Sequence, residues 1–170
     1  MAMADRTANT VWEGGLAKGN GTLSIKSGAT DDLPVTWASR TERSDGKTSP
    51  EELIAAAHSS CFAMALSHEL GEAGHEPERL DVTSVVTLDL VDDAPTVTTS
   101  KITVRGRVSG IDQDEFEKYA QGAGENCPIS RALGGVDISV DAKLDDGDGG
   151  GSSDDSNSDS DSDSDSDDNE

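Results

Sequence analysis

Basic side chains are scarce in this sequence, in which 13 Lys and Arg stand against 35 Asp and Glu among 170 residues. The formal net charge of −22 argues against nucleic acids and anionic membrane surfaces as partners, because both are bound through clusters of Lys and Arg. Long apolar runs are also missing, since no segment approaches the roughly 18–20 residues of a membrane-spanning helix. Residues 1–10 lack a basic stretch followed by an apolar one, so we predict no signal peptide and a cytoplasmic protein.

The acidic residues are unevenly distributed. Residues 145–170 contain 12 of them and no Lys or Arg, and no apolar residue follows Leu144. A segment without apolar side chains cannot offset the entropy of ordering. We therefore predict an N-terminal extension at residues 1–9, one domain at residues 10–144 and a disordered acidic tail at residues 145–170. A solvated polyanion is the simplest role for this tail, and cation binding or docking to a basic partner are the alternatives.

The domain itself is acidic and poor in lysine. Without the tail it carries a net charge of −10 and has six Lys. This pattern is typical of proteins from salt-loving organisms, because high salt screens the repulsion between like charges. We therefore expect a halophilic source, which bears on solubility and not on chemistry.

Hydrophobic periodicity predicts strands, one long helix, a strand hairpin, two more helices and a last strand. This order indicates an α+β fold in which antiparallel sheets pack around a buried helix. Gly-Gly and Gly-Asn-Gly predict hairpin turns near the start, and residues 40–48 are predicted as a loop. The predicted strands are residues 10–13, 22–25, 34–37, 79–90, 96–108 and 136–144, and the predicted helices are residues 50–70, 112–123 and 128–133.

The long helix has a well-marked start. Ser49 is placed as the N-cap, Pro50 as the first helical residue and Glu52 as the third, which is a capping box. Gly71 or Gly74 is expected to end the helix. Its centre is apolar nearly all round, which predicts burial in the core or at a subunit interface.

The only two cysteines, Cys61 and Cys127, occupy different settings. Cys61 lies within the apolar helix, where the residue pattern alone favours a small, inert core side chain. Cys127 precedes Pro128 at the start of a short predicted helix, whose positive dipole end favours a thiolate. A capping residue without chemical use is the alternative there.

Three histidines accompany the cysteines. His58 stands one helical turn before Cys61, so both could face one ion, whereas His68 and His75 follow the apolar stretch. A structural zinc site needs four ligands at a recognisable spacing, which the sequence does not offer, so we predict no metal. Nucleotide-binding and hydrolase motifs are also missing.

Two motifs carry a family resemblance. SPEELIAAAHSSCF at residues 49–62 and NCPISRAL at residues 126–133 resemble the OsmC/Ohr family of thiol peroxidases, and the OsmC branch is favoured. Shorter matches occur at residues 12–14, 19–22, 39–40 and 70–74. The resemblance spans residues 10–144 and implies an OsmC-like α+β fold that forms an intertwined homodimer.

The resemblance also implies site residues. Cys61 corresponds to the peroxidatic cysteine and Cys127 to the resolving cysteine, while Glu51 corresponds to the active-site carboxylate. Arg40 corresponds to the arginine that contacts the peroxidatic sulfur, and Arg43 is the alternative. Such an arginine would hold the thiolate of a buried cysteine, and the glutamate would orient the guanidinium through a bidentate pair.

The mechanism that the resemblance implies has two thiol steps. Cys61 attacks an organic hydroperoxide, or hydrogen peroxide, and becomes a sulfenic acid. Cys127 condenses with it to an intramolecular disulfide, which an external dithiol reduces without any cofactor. Apolar residues such as Phe62 and Met64 are expected to favour organic peroxides.

The distance between two of these residues constrains the site. Glu51 and Cys61 are ten positions apart, which is about 15 Å along a straight helix. We therefore predict a site completed across a dimer interface or by a bent helix. The rival interpretation is a non-enzymatic, stress-linked ligand-binding protein of the same fold, in which both cysteines are core residues.

Overall fold

The computed structural model of the chain describes residues 3–145 and contains two three-stranded sheets and four helices in that range. The α+β class is confirmed. All but the first residue of the predicted acidic tail lies outside the described residues. The elements are β1 (Ala8–Glu13), β2 (Asn20–Ile25), β3 (Leu33–Val35), α1 (Trp37–Thr41), α2 (Pro50–Glu72), β4 (Pro77–Val91), β5 (Ala94–Val108), α3 (Gln113–Asn126), α4 (Pro128–Ala132) and β6 (Asp137–Leu144).

The first sheet is an antiparallel meander of β1, β2 and β3. The predicted hairpin is present, although Gly21 belongs to β2 and not to the turn. A Cβ at Gly21 would lie 2.9 Å from the Trp12 ring and 2.8 Å from Val35, so the strands meet closely only because this residue is glycine. Every residue of β1 is exposed, and the strand begins at Ala8, inside the predicted N-terminal extension.

A short helix, α1, occupies part of the segment that was predicted as a loop. The hydroxyl of Thr36 accepts a hydrogen bond from the Ser39 amide at 3.0 Å, and the Ser39 hydroxyl accepts one from the Thr36 amide at 3.0 Å. This reciprocal capping box starts the helix that carries Arg40. The loop prediction is therefore wrong at Arg40 and Thr41, because five residues are too few to show a helical period.

The long helix α2 begins as predicted. The Ser49 hydroxyl accepts from the Glu52 amide at 3.1 Å, but the Glu52 carboxylate accepts from the Thr48 hydroxyl at 2.9 Å, so the box is not reciprocal. The helix ends at Glu72, and Gly74 follows with φ of 84°. Of the two predicted end signals, Gly74 is the one the backbone uses.

Only one stripe of α2 is buried. His58, Phe62, Leu66 and Leu70 follow one another every fourth residue and are fully buried, whereas Met64 is 67% exposed. Side chains from β5, α3 and β6 complete the core around this stripe. The core consists of Phe62, Leu66, Leu70, Ile102, Val104, Val108, Phe116, Ala120, Ala123 and Ala142.

The second sheet has the order β4, β5, β6. The predicted antiparallel hairpin of β4 and β5 is confirmed, and its two-residue turn is Asp92–Asp93, both with positive φ. β6 pairs parallel to β5, so the expectation of purely antiparallel sheets is wrong at this strand. The connection from β5 to β6 through α3 and α4 is a long helical crossover, which is the kind of connection that parallel neighbouring strands require. No helix within residues 3–145 is long and apolar enough to cross a membrane.

Gly106 permits the close contact between β5 and α3. A Cβ at this buried position would lie 2.6 Å from Cε2 of Phe116, which is itself fully buried. Because the surrounding core is closely packed, Gly106→Ala is expected to lower the free energy of unfolding by about 1–3 kcal/mol. Chemical denaturation would measure this loss.

Gly135→Ala is the matched control, since a Cβ there meets no atom within 4 Å. We expect this variant to stay within about 0.5 kcal/mol of the parent protein. Equal stability of the two variants would contradict the packing argument.

Candidate active site

The two thiols lie against each other. Cys61, on α2, and Cys127, between α3 and α4, are both free and lie close enough that each shifts the pKa of the other. Cys127 is fully buried, whereas Cys61 is half-buried and lies outside the core cluster. The alternative in which Cys61 is a buried core residue therefore does not hold.

Cys127 is held in position by the end of α3 and the start of α4. Its amide donates to the Ala123 carbonyl at 2.9 Å and closes α3, while its carbonyl accepts from the Arg131 amide at 3.0 Å and opens α4. Pro128 then occupies the first turn, where a missing N–H is harmless. Cys127 is thus the N-cap residue of α4, at the helix start where the sequence places it, and its side chain makes no capping hydrogen bond.

The surroundings shift the pKa values of the two cysteines in opposite directions. Burial raises the pKa of Cys127, but hydrogen bonds from the amide and hydroxyl of Ser130, the Cys61 thiol and the Ile129 amide outweigh burial and lower it. Burial raises the pKa of Cys61, a hydrogen bond from the Ile129 amide opposes this rise, and Cys127 adds to it. Because each thiol shifts the pKa of the other, the pair loses its protons in two coupled steps.

Arg40 and Glu51 form a separate pair. Nε and Nη2 of Arg40 donate to Oε1 of Glu51 at 2.9 and 2.8 Å, and the guanidinium lies 5.7 Å from the centre of the Trp37 ring. Both bonds use one carboxylate oxygen, so a pair that engages both oxygens is not formed. Oε2 of Glu51 is buried without a hydrogen-bond partner in the described part of the chain. Arg43 is exposed, and the structure brings Arg40, not Arg43, to Glu51.

These two pairs stay apart within one chain. Glu51 is on the first turn of α2, and Cys61 follows ten residues later on the same uninterrupted helix, about 15 Å along its axis. No break in α2 shortens this distance. The four predicted site residues therefore form two half-sites, one with the thiols and one with the Arg40–Glu51 ion pair.

Two cavities lie beside the ion pair. An apolar pocket of about 360 Å³ is lined by Arg40, Trp12, Trp37, Leu23 and Leu53 among others. A more polar groove of about 530 Å³ is lined by Arg40, Glu51 and Ser84. The arginine therefore faces apolar surface on one side and polar surface on the other.

The expected substrate contacts need one correction. Phe62 is fully buried in the core and cannot line an open peroxide site, whereas Met64 is exposed. Position 62 falls on the buried stripe of α2, four residues after His58, and position 64 falls on the opposite side. Their positions around the helix, and not their apolar character, explain why Phe62 is buried and Met64 is exposed.

His58 is a buried polar residue that the sequence raised only as a metal ligand. Its Nδ1 lies 2.7 Å from the Ser100 hydroxyl and its Nε2 lies 2.9 Å from the Ser130 hydroxyl. Burial lowers its pKa, which keeps the imidazole neutral. Both nitrogens are therefore engaged by serine, and no cluster of three metal-ligating side chains occurs in the described range. In the sequence, His58 stands on the apolar stripe of α2, and a polar residue at such a buried position indicates that it has hydrogen-bond partners in the core.

Comparisons with known proteins agree with this architecture. The sequence model of the OsmC-like protein family matches residues 43–141. The chain is 42% identical over 133 residues to peroxiredoxin OsmC of Escherichia coli, covering 78% of this chain and 92% of that protein.

Two solved structures are similar to the fold. An organic hydroperoxide resistance protein OsmC from Legionella pneumophila superposes with a TM-score of 0.65 at 25% identity, covering 84% of this chain and 99% of that one. The organic hydroperoxide resistance protein OhrB of Bacillus subtilis gives 0.65 at 26% identity, covering 81% and 98%.

The hydroxyl of Ser130 is expected to stabilise the thiolate of Cys127. In a Cys61→Ser background Cys127 is the only thiol, so its titration can be followed by the ultraviolet absorbance of the thiolate. We expect Ser130→Ala to raise the pKa of Cys127, because a donor to the anion is lost.

Ser60→Ala is the matched control for this titration. The Ser60 hydroxyl donates to carbonyls of its own helix at 2.8 and 3.1 Å. Its removal should leave the titration midpoint unchanged. An unchanged midpoint in Ser130→Ala as well would contradict the assignment of this hydrogen bond.

Proposed function

This chain belongs to the family of OsmC-like proteins, and from that premise we propose that it reduces organic hydroperoxides to alcohols through the thiols of Cys61 and Cys127. One observation carries the proposal: the fold brings two free thiols from distant parts of the sequence close enough that each shifts the pKa of the other. This arrangement is suited to forming and breaking a disulfide in response to an oxidant. The names of its relatives, a peroxiredoxin and organic hydroperoxide resistance proteins, support the same class of stress defence.

The difference in solvent exposure indicates which cysteine reacts with the peroxide first. Cys61 is half-buried, whereas Cys127 is fully buried, so a peroxide meets Cys61 first. The Cys61 thiolate attacks the distal oxygen and becomes a sulfenic acid as the O–O bond breaks, and the alkoxide leaves as the alcohol after taking a proton. The amide of Ile129 is positioned to support this thiolate.

The second step uses the contact already present. Cys127 attacks the sulfenic sulfur of Cys61, and the oxygen leaves as water. The resulting disulfide is returned to two thiols by exchange with an external dithiol, and the cycle requires no cofactor. A redox cycle of this kind fits a reducing compartment such as the cytoplasm.

Arg40 and Glu51 enter this mechanism through a second copy of the chain. In one chain the pair lies about 15 Å from Cys61 along α2, and charges at that separation in water are largely screened. One face of α2 and all of β1 are exposed in the single chain. We propose a homodimer in which Arg40 of one protomer stabilises the Cys61 thiolate of its partner, oriented by Glu51.

The apolar pocket beside Arg40 suggests the preferred peroxide. Its lining includes Trp12, Trp37 and Leu53, which can hold the hydrocarbon part of an organic hydroperoxide. Hydrogen peroxide has no such part and gains nothing from this surface. The same pocket is the observation that favours the rival function, the binding of an apolar ligand without chemistry.

Peroxide titration separates catalysis from ligand binding. We expect one equivalent of cumene hydroperoxide to remove both free thiols and to give a Cys61–Cys127 disulfide by mass mapping, because one turnover oxidises the pair. Turnover should be faster with cumene hydroperoxide than with hydrogen peroxide and should be lost in Cys61→Ser. If the thiols survive an equivalent of peroxide, or if Cys61→Ser keeps full activity, the ligand-binding function is favoured.

Mixing two inactive variants tests whether the site is shared between protomers. Cys61→Ser and Arg40→Ala should each be inactive alone. A hybrid dimer of the two has one site with both an intact thiol pair and an intact arginine, so exchange of subunits should restore about a quarter of the parent activity. A mixture that stays inactive after verified exchange would mean that Arg40 serves the thiols of its own chain or none.

A further inference from the structure

A chain of hydroxyl groups and one imidazole runs through the core from the thiol pair. Ser130 lies on the first turn of α4, three residues after Cys127, whose pKa it lowers, and its hydroxyl is 2.9 Å from Nε2 of His58. Nδ1 of His58 lies 2.7 Å from the Ser100 hydroxyl, which lies 3.2 Å from the Ser84 hydroxyl. Four separate elements, α2, β4, β5 and α4, supply these groups, so the tertiary fold and not a local motif aligns them.

The far end of this chain opens to the surface. Ser100 is fully buried, but Ser84 on β4 is only half-buried and lines the groove that also contains Arg40 and Glu51. The near end is Cys127, which is fully buried. The relay Ser130–His58–Ser100–Ser84 therefore connects a thiol with no direct access to water to an open groove.

A neutral imidazole suits a relay of this kind. It carries one N–H and one free nitrogen, so it accepts a proton at one side and releases another at the opposite side. The groups along the path from β4, β5 and α4 are neutral hydroxyls, and the titratable groups connected to it are the Cys61 and Cys127 thiols. Burial of His58 keeps it in the neutral form that this exchange requires.

We propose that His58 is a positioning residue that, through Ser130, removes the proton of Cys127 when the disulfide closes and passes a proton through Ser100 and Ser84 to the groove. This inference rests on the proposed peroxidase function and assigns the base of its second step. Cys127 is fully buried, and the relay offers its proton a hydrogen-bonded path to the groove.

The step is balanced in protons and electrons. Cys127 S–H gives its proton to the Ser130 oxygen, the Ser130 proton moves to Nε2 of His58, and the Nδ1 proton leaves through Ser100 and Ser84. The Cys127 thiolate then attacks the Cys61 sulfur with its electron pair, the S–O bond of the sulfenic acid breaks, and hydroxide leaves and takes a proton from solvent to become water. The two cysteines are thereby oxidised to the disulfide, and the peroxide oxygen is released.

A purely structural role for His58 predicts a different outcome. Placing an imidazole on an apolar stripe requires partners for both nitrogens, and an apolar side chain would fill the site without that requirement. A structural histidine would therefore affect stability and all reaction steps alike. The relay affects only the closing of the disulfide, and only where protons are removed slowly.

Single-turnover kinetics measure that step by itself. The reduced protein is mixed with one equivalent of cumene hydroperoxide and quenched at intervals, and mass spectrometry distinguishes sulfenic acid, trapped by dimedone, from the disulfide. We expect His58→Gln to form the sulfenic acid at the parent rate but to close the disulfide roughly 100- to 10,000-fold more slowly near neutral pH, the range of a lost proton acceptor. The difference should shrink as the pH rises, because a larger fraction of Cys127 is then already a thiolate before the step begins.

Ser100→Ala is a second test of the relay, which remains informative if His58→Gln does not fold. It leaves the imidazole and the Ser130 contact in place and removes only the group beyond Nδ1, yet it should also slow closure. His68→Gln is the matched control, since His68 is an exposed histidine on the same helix, and it should close at the parent rate. Parent rates in both relay variants, or a slowing that is the same at every pH, would overturn the inference.

A peroxide-free measurement keeps this inference separate from the proposed function. An aromatic disulfide reagent such as dithiobis(nitrobenzoate) converts Cys61 to a mixed disulfide and releases one coloured thiolate. Attack by Cys127 then closes the disulfide and releases a second one, which reports the closure. This closure needs the same proton removal, so His58→Gln should slow it as well. Slow closure here together with no reaction toward peroxide would refute the peroxidase and retain the relay, whereas the reverse result would retain the peroxidase and refute the relay.

Discussion

The contact between the sulfur atoms of Cys61 and Cys127 is the interaction on which the rest of this structure depends. It joins the middle of α2 to the first turn of α4, and the backbone amides of that turn share their hydrogen bonds between the two sulfurs. One thiol is half-buried and the other is fully buried, so an oxidant reaches only one of them directly. Chemistry at this pair requires a route for the oxidant, a route for protons and a cation for the thiolate.

The single chain provides these three in different places. In the proposed reaction the oxidant meets the half-buried Cys61 and protons leave along the hydroxyl–imidazole path through His58, while Arg40 lies at the other end of α2 against Glu51. Oε2 of Glu51 is buried without a partner in the described residues. The proposed pairing of two chains would bring the second half-site to the first.

Much of the fold was predictable from local patterns, and the errors have physical causes. The start of α2 at Ser49–Pro50 and the β4–β5 hairpin follow from capping and alternation, which are short-range. The helix α1 was missed because it is only one turn long, and the direction of β6 was missed because strand direction depends on the path of the connecting helices. Phe62 was assigned to the substrate because composition does not reveal helical phase against the core.

The sequence by itself determined the acidic balance and the candidate site residues, which are the two cysteines with their motifs, Arg40 and Glu51. Tertiary structure decided which of them meet. It joined Cys61 to Cys127 across 66 positions, held Arg40 away from both, and aligned His58 with serines from β5 and α4. Such contacts depend on how helices and strands pack in space, and no local pattern encodes a hydrogen bond between residues 58 and 130.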